Sequence, residues 1–249
     1  TYPQKTALAD CNGERMTTYK ELEALSCRIA AKLLESGDMS GKAVMVCMGR
    51  KMEYIAAEIG IMMAGAAFVP VLPEYPKERL SYIKEDCGAA AVVDDSWLSD
   101  IGTYEPIQPV AREDSSRAMI IYTSGSTGHP KGIVHTMASL TEGVWRNRGI
   151  MYVDENDVQA AGAPMSFVVL ILEYFTVLSR GGCSHILPEE TRKDVRLLED
   201  YFAANGITCA FISPQILRLF KNKSRTLKKV ATGSERVSML AGDGYELYN

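Results

Sequence analysis

Short apolar runs alternating with helix-period segments constrain this chain more than any other feature. Thr18, Tyr19, Lys20 and Glu21 form a T-x-x-E capping pattern, after which Leu22, Leu25, Ile29 and Leu33 recur at helical spacing until Gly37. Residues 43–48 then read as a buried strand, and Tyr54, Ile55, Ile59 and Met62 as a second helix stopping near Gly65. Strand 67–71, a helix containing Leu80 and Ile83, and strand 89–93 continue the pattern. Strand 118–122, strand 133–136 and a helix through about Asn147 follow. Further on, Val195, Leu198 and Phe202 mark a helix ended by Asn205 and Gly206, and 208–212 reads as a strand closed by Pro214. Such alternation predicts the α/β class, with parallel strands covered on both faces. The polar stretch 94–117 is the best linker candidate, although its length also suits an irregular surface connection.

Composition narrows what such a fold can serve. The 249 residues are 47% hydrophobic and 23% charged, which suits a globular chain with one large core or two moderate ones. A formal net charge of −4, with no dense basic block, argues against a nucleic-acid partner. The most apolar stretch, 167–172, is interrupted by Glu173 and Arg180, well short of the ~20 residues a membrane span needs. The opening residues do not resemble a secretory signal, so the expected location is cytoplasmic. Six scattered cysteines without a C-x-x-C pair are expected as buried free thiols, and the three histidines lack metal-ligand spacing, so no side-chain metal site is assigned.

The segment 122–132, YTSGSTGHPKG, follows an apolar strand and holds three glycines, Ser124, Ser126, Thr127 and Lys131. Gly125 and Gly128 let backbone N–H groups converge on an anion, the hydroxyls donate, and Lys131 adds positive charge, a set suited to polyphosphate. A solvated Ser/Gly hairpin loop is the plain alternative. The loop is not a Walker P-loop, because Lys131 follows Pro130 and precedes Gly132, and because it runs into a strand rather than a helix. Backbone and side-chain donors would have to hold the phosphates without a helix dipole.

This string resembles, at every fixed position, the YTSGSTGxPKG signature of the acyl- and aminoacyl-adenylate-forming superfamily, in particular nonribosomal peptide synthetase adenylation domains. TYKEL at 18–22 is similar to that family's LTYxEL, and MAGAAFVP and PEYPKERL resemble its KAGAAYVP and PSYPxERL. The likeness covers essentially the whole chain. It implies two layered α/β lobes, about 40–150 and about 1–39 with 151–249, forming an incomplete N-terminal large domain without the small C-terminal domain that carries the family's catalytic lysine. No catalytic residue is therefore assigned within the chain, and the fragment alone is expected to be inactive. Phosphate binding is expected at Thr123, Ser124, Gly125, Ser126, Thr127, Gly128 and Lys131, with Gly233, Ser234 and Asn249 on the adenine side.

In amino-acid-activating relatives a Phe-Asp-x-Ser motif opens the acyl pocket, and its aspartate pairs with the substrate's α-ammonium. Here the matching residues are Phe167, Val168, Val169 and Leu170, in a register supported by Glu173, Phe175 and Gly181. Desolvating an ammonium without a carboxylate costs several kcal/mol. The resemblance also assigns Val169, Leu172, Phe211, Val230 and Thr232 to the pocket; filling a core is the plain alternative for the apolar run 168–172. The implied reaction is ATP- and Mg2+-dependent conversion of a hydrophobic acid lacking an α-amine (α-keto, α-hydroxy, alkyl or aryl) to acyl-AMP and pyrophosphate. Transfer to a carrier-protein phosphopantetheine thiol would follow. An acyl-CoA ligase using coenzyme A, disfavoured by PEYPKERL, and a non-catalytic adenylation-like module are the alternatives.

Overall fold

The computed structural model describes residues 2–10, 13–124, 129–233 and 244–248. In chain order the elements are β1 (Thr6–Asp10), β2 (Arg15–Thr18), α1 (Tyr19–Glu35), β3 (Ala43–Cys47), α2 (Met52–Met63), β4 (Ala67–Val71), α3 (Lys77–Asp86), β5 (Ala89–Val93), β6 (Arg117–Thr123) and β7 (Lys131–Thr136). Then come α4 (Met137–Ile150), β8 (Val158–Ala161), α5 (Val168–Leu178), β9 (Cys183–Ile186), α6 (Val195–Ala204), β10 (Cys209–Phe211), α7 (Pro214–Leu217), β11 (Lys229–Ala231) and β12 (Glu246–Tyr248). Two compact units result: one of Thr1–Tyr19, Gly143–Pro164 and Val169–Asn249, the other of Lys20–Glu142 and Met165–Val168.

The second unit is built on a five-stranded sheet ordered β5-β3-β4-β6-β7. Its first four strands are parallel, and β7 turns back antiparallel on β6. The burial of the strands follows their position. All five residues of β4 are buried, so Ala-Phe-Val-Pro-Val reads as one continuous apolar run, as a strand covered on both faces must. Helix α1 turns Leu22, Ile29 and Leu33 inward, and Gly37, at φ +102°, ends it in a conformation that side chains resist. The stretch 94–117 stays within this unit. Val110 N–H bonds Met63 O at 2.8 Å, and the Arg112 guanidinium bonds Met62 O and Ala66 O at 3.0 and 2.8 Å, so the segment is laced to the end of α2.

The first unit is a seven-stranded sheet, β12-β11-β10-β8-β9-β1-β2, parallel except for the β1–β2 pair. Leu198 and Phe202 of α6 pack with Ala210, Ile212 and Val230 into its core. Asp194 caps α6, its carboxylate accepting from Arg196 N and Leu197 N at 2.8 and 3.1 Å. A partly buried ion pair, Asp157 with Lys229 at 2.6 Å, joins the segment before β8 to β11, with Thr208 donating to the same carboxylate at 2.7 Å. Burial pushes the Asp157 carboxyl up, but these donors outweigh it and hold the group below its usual range.

The thiol expectation holds only in part. The five described cysteines are free, but Cys27 and Cys209 alone are buried among them; Cys47, Cys87 and Cys183 stand at element ends and are half-exposed, while Cys11 lies outside the described residues. No described helix is long and apolar enough to cross a membrane.

Candidate functional site

The glycine-rich segment connects β6 to β7, which pair antiparallel. Register pairs Thr123 with Lys131 and Tyr122 with Gly132, so the two ends of the loop face each other. Thr123, Ser124 and Lys131 are exposed, whereas Ala118 to Tyr122 are buried. Gly125, Ser126, Thr127 and Gly128 lie outside the described residues. Both flanks are tied to one face of α3. Tyr122 donates its hydroxyl to Asp86 Oδ2 at 2.5 Å, and His129 stacks on Tyr82 with ring centroids 5.3 Å apart. Tyr82 and Asp86 are four residues apart, hence neighbours on that helix. Burial, reinforced by the bond to Asp86, pushes the Tyr122 phenol well above its ordinary range and keeps it a neutral donor. A Cβ at Gly132 would stand 3.0 Å from the Tyr122 ring and from Ile120 Cγ2, so a larger residue there would press on both side chains.

On the expected adenine side, Thr232 N–H donates to Tyr248 O at 2.8 Å, which extends the β11–β12 pairing by one residue. Gly233 follows, half-buried; Ser234 and Asn249 lie outside the described residues.

The first unit holds a partly open cavity of about 210 Å³ lined by residues of, or next to, α4, β8, α5, β10, β11 and β12. Val169, Leu172, Phe211 and Thr232, assigned from the sequence to the acyl pocket, all line it. Val230 does not: it is fully buried in the sheet core with Ala210 and Phe202, because alternate residues of a strand face opposite sides. Phe167 and Val168 group with the other unit. There the preceding residues are anchored, Met165 O accepting from the buried Tyr54 hydroxyl at 2.9 Å and Ser166 Oγ lying 2.8 Å from Tyr75 Oη.

The remaining wall was missed in the sequence, and helical periodicity is the signal that finds much of it. Residues 168–172 read there as an apolar run, but α5 extends to Leu178 and turns Val169, Leu172, Glu173 and Thr176 to the cavity, the i, i+3, i+4, i+7 face of one helix. Asn147, Ile150 and Met151 repeat the same spacing at the end of α4. Gln159, Ala231 and Tyr248 come from strands too short to announce themselves. Glu173 is buried, and its Oε2 accepts the Ala163 N–H at 3.1 Å.

Two layered α/β units with mixed sheets and a glycine-rich hairpin are the fold of adenylate-forming N-terminal domains. The inhibitor-bound N-terminal domain of FACL13 from Mycobacterium tuberculosis superposes with a TM-score of 0.85 at 19% identity, over 96% of this chain and 68% of that one. The chain belongs to the AMP-binding enzyme family, which it matches over residues 1–102 and 94–245. Bacitracin synthase 1 of Bacillus licheniformis is 29% identical over 95% of this chain, which spans 5% of that protein. A four-domain nonribosomal peptide synthetase bound to AMP and glycine is 26% identical with a TM-score of 0.80, over 94% of this chain and 18% of its own.

Proposed function

We propose that this chain supplies the nucleotide- and acid-binding part of an enzyme that activates a carboxylic acid with ATP, in the cytoplasm, for loading onto a carrier protein. A substrate carboxylate oxygen attacks the α-phosphorus of Mg-ATP, the bond to the β-phosphate oxygen breaks, and pyrophosphate leaves with the electron pair. A phosphopantetheine thiolate then attacks the acyl carbon and AMP departs. Catalysis of this kind rests on charge stabilisation and positioning.

The observation that carries the reading is the YTSGSTGHPKG hairpin, whose strand register brings Thr123 and Lys131 opposite each other at the loop's mouth. Thr123, Ser124, Gly125, Ser126, Thr127, Gly128 and Lys131 would hold the β- and γ-phosphates, with Gly233, Ser234 and Asn249 beside adenine. Mg2+ enters with the nucleotide, and among the described residues no cluster of three or more His, Cys, Asp or Glu side chains is arranged to hold a metal ion.

Val169, Leu172, Phe211 and Thr232, which line the cavity, would define the acyl site, and the family resemblance adds Phe167 and Val168 to it. With valine at position 168, an α-ammonium lacks the carboxylate that amino-acid-activating relatives provide, so the acid is read as hydrophobic and without an α-amine. Acid-dependent exchange of pyrophosphate into ATP, run in the full-length protein over amino, keto, hydroxy, alkyl and aryl acids, ranks the substrates. Best turnover with an α-amino acid overturns the acid class. Thioester formation on a holo carrier protein, compared with coenzyme A, tests the acceptor.

A further inference from the structure

We infer that Tyr54 and Tyr75 are positioning residues for the acid, because their hydroxyls fix the chain at Met165 and Ser166, just ahead of the helix that carries Val168 and Val169; the inference rests on the acyl-site reading. Tyr54 of α2 donates to Met165 O at 2.9 Å, and Tyr75 Oη lies 2.8 Å from Ser166 Oγ. All four residues belong to the five-stranded unit. Val168 opens α5 and Val169 lines the cavity, so chain connectivity passes the placement of 165–166 to the first turn of that helix.

Residues 162–167 belong to no strand or helix, so a buried carbonyl among them depends on a partner from elsewhere. Met165 is buried, and Tyr54 meets its oxygen. The bond is costly to build. Tyr54 is fully buried, as is Glu58 one turn on, in a helix whose other buried residues include Met52, Ile55 and Ile61. Phenylalanine and leucine would fill the same space without burying polar groups.

A phenol has one proton. Met165 O can only accept it, so the hydrogen bond between Tyr54 and Glu58 is donated by Glu58, whose carboxyl burial raises well above the usual range and keeps neutral. The pair thereby commits the phenolic proton to the segment before α5.

Tyr75 is oriented in its turn by Arg79, whose Cζ stands 4.0 Å from the centroid of the tyrosine ring. Arg79, Tyr82 and Asp86 fall on one face of α3. The helix that holds the flanks of the glycine-rich segment thus also orients the tyrosine on the acid side.

The test is pyrophosphate exchange by the full-length protein with its best acid. Tyr54→Phe and Tyr75→Phe keep the rings and remove the hydroxyls. Each should raise KM for the acid about fivefold, the worth of one hydrogen bond, and the two together about 25-fold, with KM for ATP within about twofold of wild type. Ser166→Ala should match Tyr75→Phe, and combining those two should do no more than either alone, because they share one bond. A role in folding alone would lower the active fraction, hence kcat, and leave both KM values where they were.

Unchanged acid KM in both tyrosine variants, equal rises for acid and ATP, or additive losses in Tyr75→Phe with Ser166→Ala overturn the inference while leaving the activation reading standing. Should Tyr54→Phe fail to fold, Tyr75→Phe and Ser166→Ala, both at half-buried positions, decide it alone. Absence of acid-dependent exchange in the wild-type protein instead removes the reading beneath it.

Discussion

The glycine-rich segment at 122–132 and the cavity of the seven-stranded unit are built on opposite plans. The hairpin is local: eleven consecutive residues, polar and glycine-rich, hung between a buried strand and an exposed one. Its edge strand leaves Ile133 and Val134 about half exposed, and its flanks are held through two residues of α3. The cavity is non-local, drawing on residues between Asn147 and Tyr248 from six elements. A local site can be read as a string because chain connectivity alone brings its groups together. A non-local one exists only after the sheet has ordered its strands.

This contrast can be broken or sharpened by substitution. The largest effect is expected from Gly182→Ala, whose Cβ would stand 2.5 Å from Val177 Cγ2 and 2.6 Å from the backbone oxygen of Asp157. A clash against backbone cannot relax, so stability should fall by about 3 kcal/mol, read as a lowered Tm. Unchanged Tm would show the cavity unit to be more compliant than its packing implies. Lys131→Ala should lower kcat/KM for ATP about 100-fold, roughly 2.7 kcal/mol, with little change in KM for the acid. Equal losses for both substrates would make the lysine merely structural. Phe211→Ala should do the reverse, raising KM for the preferred acid about tenfold while sparing that for ATP, and admitting bulkier acids.

Two smaller effects probe the hairpin's own unit. Glu58 is fully buried beside Tyr54, and burial raises its carboxyl well above the usual range. The folded state keeps the proton that the unfolded chain releases, so this group's contribution is complete below the unfolded carboxyl range and is lost as pH rises toward the folded value. Glu58→Gln should therefore match wild type at acid pH and exceed it by about 1 kcal/mol at neutral pH, measured by denaturant unfolding across that range. A constant difference at all pH values would refute the buried neutral acid. Tyr122→Phe, which loses the bond to Asp86, should cost less than ~1 kcal/mol and raise KM for ATP only a few-fold.

Legibility followed the same division. Strands β3, β4, β5 and β6 and helices α1, α2, α3 and α6 were visible because each is an apolar run or an amphipathic helix closed by a glycine, a turn or a cap. Strands β8, β9, β11 and β12 were not, being three or four residues long and carrying polar residues such as Gln159, Ser184, His185, Lys229 and Glu246. They are strands because parallel neighbours complete their hydrogen bonds, which local propensity does not encode. The apolar stretch 167–172 hid a helix because its cavity-facing side continues into polar Glu173, which reads as an interruption of the run.

The amino-acid sequence by itself determined the α/β class, the family and the glycine-rich hairpin, since periodicity and a contiguous motif survive without any knowledge of distant contacts. Tertiary structure decided which residues share the cavity and that Val230 faces the core instead. Those outcomes depend on strand order and on which face of each element is turned inward, and both are settled by packing between segments remote along the chain.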